Sequence, residues 1–149
     1  MRSTTFTKAA MALAGCDAMQ ERAYLMSGGP EAEARRAGPT PEREAMVAEV
    51  GQRMTAVIGV TGPSGSILRR VQTSRDAVSL DHSLPFLEAD LDEDAQAEAV
   101  RLFSWRLNWE FCNSGDGNPY YLLGGILSVN GVNSSGRVIE GRTLTSCRD

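Results

Sequence analysis

The chain has 149 residues, 42% hydrophobic and 23% charged, with a formal net charge of −4. That apolar share suffices for one ordinary domain core and excludes a wholly disordered chain, and the acidic balance argues against general nucleic-acid binding. No apolar run approaches the ~20 residues of a membrane-spanning helix.

The charges are unevenly placed. Arg2 and Lys8 lie in the first eight residues, Lys8 is the single lysine, and every acid lies beyond residue 16. Without residues 1–15 the chain holds 13 arginines against 19 acids, a net −6. A basic tip ahead of an acidic body is the layout of a targeting segment. Met1 to Lys8 is basic and hydroxyl-rich, Ala9 to Gly15 is a short apolar stretch, and it ends in Leu13-Ala14-Gly15-Cys16. This run resembles the lipobox of bacterial lipoproteins. The resemblance implies that Cys16 takes a diacylglyceryl group on its sulfur and becomes the new N-terminus. Its apolar stretch sits at the lower limit of the usual ~7–15 residues. Two or three acyl chains anchor firmly where one is marginal. Asp17 directly after the cysteine resembles the enterobacterial signal for retention at the inner membrane. The expected place is the bacterial cell envelope, periplasm-facing and held to the membrane by lipid.

Three cysteines are an odd number. With Cys16 assigned to lipid, Cys112 and Cys147 remain, and an oxidising compartment favours a disulfide between them. A zinc site wants about four nitrogen or sulfur ligands at short spacings; this chain has one histidine and no CxxC. A cysteine nucleophile wants a histidine base, and only His82 exists. No metal or cofactor is expected.

Residues 16–40 are rich in charge, Gly and Pro (SGGPEAEARRAGPTPE), which predicts a flexible tether. Its ~24 residues would span about 27 Å r.m.s.. Residues 41–149 are expected to form a single domain. Thr40 and Pro41 read as N-cap and first residue of a helix, with Glu42 and Glu44 in its first turn. Met46, Val47, Val50, Met54, Val57 and Ile58 recur at helical spacing. Gly62-Pro63-Ser64-Gly65 reads as a turn; it lacks the Lys-Ser/Thr of a phosphate loop.

Ile67 to Val71 and Ala77 to Leu84 read as strands. Val78, Leu80, His82 and Leu84 alternate with Ser79, Asp81 and Ser83, so His82 falls on the apolar phase as a core or edge residue. Asp81-His82-Ser83 is no triad, because strand neighbours point to opposite faces. Asp90 or Asp92 caps a second helix. The run Asp90 to Asp94 superficially matches a calcium loop, but Ala95 replaces its glycine and Arg101 its final acid. Val100, Phe103, Leu107 and Phe111 form an apolar stripe, and Trp105 and Trp109 sit on a neighbouring face. These tryptophans either cover the sheet or offer a partner surface. Asn113 to Pro119 reads as a loop, and Ile126 to Val132 and Arg137 to Ser146 as strands joined by the turn Asn133 to Gly136.

The expected fold is α+β: a four-stranded, mostly antiparallel sheet of two hairpins, two helices on one face, and one disulfide. The ending, from the cysteine-terminated helix through LLGG to SSGRVIEGRTLTSC, resembles small exported bacterial proteins of unassigned function, many of them lipoproteins. That resemblance covers roughly residues 60–149 and implies no catalytic residues. The expected function is a non-catalytic, membrane-anchored interaction or assembly factor of the pilotin sort with a protein partner. The alternatives are an exported inhibitor or immunity protein that binds a basic, lysozyme-like enzyme, and an enzyme with His82 as its one neutral-pH imidazole. Intact mass after bacterial expression tests both cysteine assignments. The expected species starts at Cys16, carries acyl chains and is two hydrogens short; an unprocessed chain with three free thiols refutes both.

Overall fold

The computed structural model describes residues 29–62, 65–88 and 92–149. Cys16 with the Leu13-Ala14-Gly15 run before it, Asp17 and Asp90 lie outside the described residues. The elements run α1 (Gly29–Ala37), α2 (Pro41–Thr55), β1 (Ile67–Thr73), β2 (Ala77–Ser83), a 3-10 turn (Pro85–Glu88), α3 (Glu93–Asn113), α4 (Gly117–Leu122), β3 (Ile126–Val132) and β4 (Val138–Leu144).

The strands form one sheet in the order β1-β2-β3-β4. β1–β2 and β3–β4 are antiparallel hairpins, and β2 and β3 meet in parallel. A parallel pair needs a long crossover, and α3 with α4 provides it. The alternation in β2 lays Val78, Leu80 and His82 on the helix-covered face. Leu127 and Val129 join them from β3. The opposite face is polar: Asn130 Nδ2 donates to Ser79 Oγ at 3.2 Å and to Asp81 Oδ1 at 2.9 Å. The fold is therefore α+β with helices packed against a mostly antiparallel sheet.

Local chemistry sets the helix ends. Thr40 accepts a hydrogen bond from the Arg43 amide at 3.1 Å, and Pro41 occupies the first turn. Asp92 caps α3 by accepting from the Ala95 amide at 2.8 Å. α2 stops at Thr55, before Val57 and Ile58, which are exposed in the turn that follows rather than on the helix's buried face. The loop expected from Asn113 to Pro119 instead tightens into α4 from Gly117 onward.

Composition predicts a tether to residue 40, but a packed helix begins at Gly29. Glu31 and Ala32 of α1 are buried, and α1 packs against α4. Its holding contacts are polar and come from residues outside the helix, so no apolar stripe announces it. Glu31 pairs with Arg148 at 2.7 Å. The buried Arg43 guanidinium donates through Nη2 to the carbonyls of Ala34 (2.7 Å) and Gly38 (2.8 Å), and through Nε to that of Leu123 (2.8 Å). Gly124 makes room for this: its φ is +90° and a Cβ there would stand 2.7 Å from Arg43 Nη2. At Gly125 a Cβ would meet the Tyr120 ring at 2.6 Å. The glycine pair after Leu123 is thus a packing requirement.

Cys112 and Cys147 form a disulfide with Cα atoms 5.9 Å apart. Closing 35 residues stabilises by about 3–4 kcal/mol in the chain-entropy model. Beside it, Asn108 donates to the Ser146 carbonyl at 3.0 Å and accepts from the Tyr121 hydroxyl at 2.7 Å. Burial pushes the Tyr120 and Tyr121 phenols well above their ordinary range, so Tyr121 stays a donor.

Replacing Arg43 by Met should strand three carbonyls and lower unfolding stability by about 2–4 kcal/mol. Arg43→Lys should recover only part, because an ammonium cannot fork to three acceptors on two sides. Denaturant titration of the two variants and the parent decides this.

Candidate functional site

α2 packs over β1 and β2, and α3 over β3 and β4. Between them lies a groove of about 480 Å³. Val50 and Met54 of α2 form one wall, Phe103 and Leu107 of α3 the other, and Leu68 and His82 line its floor on the sheet. Val57 and Val60, carried by the turn after α2, extend the first wall. Charges at its edge are paired: Arg53 with Asp116 and Glu49, and Arg106 with Glu110 at 3.5 Å.

His82 is 7% exposed. Its ring meets Phe103 edge-on, with centroids 4.9 Å apart. Its Nδ1 has no hydrogen-bond partner. Burial disfavours the charged ring and pushes its pKa from 6.5 down to about 4, against a weaker upward pull from Asp81. The Asp81 carboxylate itself lies on the other face, bound by Asn130 and 3.9 Å from Arg70. Ser83 accepts from Arg69 Nε at 3.1 Å. The three consecutive residues therefore make no relay.

Trp105 and Trp109 do not cover the sheet. They are 55% and 59% exposed and, with Leu102 at 51%, form a stripe on the outer face of α3. That stripe is separate from the groove, which α3 lines through Phe103, Leu107 and Phe111. Cys112 and Cys147 are brought together in the bridge. Among the described residues no three His, Cys, Asp or Glu side chains are arranged to hold a metal ion. No described helix is long and apolar enough to cross a membrane.

The sequence pattern did not reveal the groove. It exists because two helices track different strand pairs, which no local periodicity encodes. The available signal was His82 on the apolar phase of β2. Comparison with protein-family models, with curated proteins and with solved structures found no match.

The buried neutral His82 has a consequence for pH. Its folded pKa lies below the unfolded 6.5, so below that pH the unfolded chain binds more protons. The contribution is complete above pH ~6.5 and is lost as pH falls toward about 4. The denaturation midpoint should therefore drop between pH ~7 and ~5, where most carboxylates are still ionised. His82→Phe should flatten that interval, and an equally steep fall in the variant would remove His82 as the cause.

Proposed function

We propose that this chain is a membrane-tethered envelope accessory protein whose domain binds a protein partner through the outer face of α3. The observation that carries this reading is the exposed stripe of Leu102, Trp105 and Trp109. Aromatic side chains turned to solvent cost free energy alone and are enriched at the energetic centres of interfaces. Their i, i+3, i+7 spacing presents one continuous strip of a helix. The Leu13-Ala14-Gly15-Cys16 lipobox supports a lipid anchor at Cys16, and Asp17 supports the periplasmic face of the inner membrane.

Photo-crosslinkers placed at Trp105 and Trp109 in the bacterial envelope test the reading. The expected outcome is one specific partner at both positions, with Trp105→Ala and Trp109→Ala each weakening the complex about tenfold or more. Their unfolding stability should stay within about 0.5 kcal/mol of the parent. No partner above background overturns the reading. A salt-sensitive complex with a lytic enzyme would make the chain an inhibitor instead.

A further inference from the structure

We infer that the groove between α2 and α3 binds a small uncharged aliphatic molecule carrying one oxygen acceptor, which His82 recognises. This site is separate from the tryptophan stripe and does not rest on its role. Ligand sites are typically concave, about 300–1,000 Å³, apolar in lining and fixed by very few polar groups. A volume of about 480 Å³ walled by Val50, Met54, Leu68, Phe103 and Leu107 meets that description. His82 on its floor is a polar group more than nine-tenths buried, and Ser66, equally buried, also lines the groove.

The ring's state narrows the ligand. Nδ1 is sealed from solvent and unpartnered. A sealed bare lone pair costs less than a sealed orphan N–H, since orphaned donors are the rarer and dearer case. This favours the tautomer with the proton on Nε2, whose N–H the ring then offers on the side that lines the groove. An oxygen acceptor satisfies that donor. An ionised head group finds no compensation here, because the burial that keeps the ring neutral also penalises a charge beside it. The charges at the edge are already paired among Arg53, Glu49, Asp116, Arg106 and Glu110. The Arg53–Asp116 pair spans from α2 to the turn after α3 at the groove's edge.

The test uses the full chain labelled with ¹⁵N-histidine, whose one imidazole reports directly, titrated with decan-1-ol and with decanoate. Decan-1-ol should bind saturably and move the His82 Nε2 resonance, and decanoate should bind about tenfold more weakly or not at all. His82→Phe keeps an aromatic ring without the N–H and should lose about tenfold in decan-1-ol affinity. Should that variant fail to fold, Leu107→Trp, which narrows the groove from a half-buried wall position, should abolish the saturable shift. The inference is overturned if decan-1-ol leaves the native His82 resonance unmoved, if decanoate binds as tightly, or if a folded His82→Phe binds as well as the parent.

Discussion

Three separate pieces of chain meet on the guanidinium of Arg43. It donates to the carbonyls at the end of α1 and to the carbonyl that ends α4, while the backbone amide of the same residue donates to Thr40 at the start of α2. A planar fork with five donors can serve acceptors on two sides at once, which no other side chain does. Burying that charge is tolerable only because each carbonyl answers it. The absence of a side chain at Gly124 follows from the same group, since a Cβ there would collide with it. The α1 and α2 ends and the approach to β3 all depend on one residue of the second helix's first turn.

A second tie sits at the far end of α3. The Cys112–Cys147 bridge and the Asn108 side chain hold the segment after β4 against that helix. Arg53, pairing with Asp116, joins α2 to the turn after α3. The two long helices are thus fixed at their ends while the space between them over Leu68 and His82 stays open. A groove that persists in a small domain needs such end ties, because apolar walls otherwise close to remove a void.

What was legible in the sequence follows from what is local. The strand alternation of β2, the Thr40-Pro41 start of α2, the Asp92 cap and the hairpins were readable because period, cap and turn chemistry act within a few residues. The four-stranded α+β architecture with one bridge followed from their order. α1 was not readable, because it is held by Arg43 of the next helix and by the far Arg148 rather than by its own apolar stripe. α4 was masked by the turn-forming residues Asn118 and Pro119, whereas Tyr120 and Tyr121 hold it to the core. The parallel β2–β3 junction and the groove are properties of how elements pack, so only coordinates reveal them. Trp105 and Trp109 were visible as letters off the main stripe, and the structure decides their exposure.

The pairing of Glu31 with Arg148 joins the first described helix to the last residues of the chain. Arg35 adds a bond to the Thr145 carbonyl in the same strap. A mechanical load applied at Gly29 is therefore shared at once with the segment around Cys147. From there a covalent sulfur link delivers it to the end of α3. α3, with its outward tryptophans, is therefore the element on which such a load arrives.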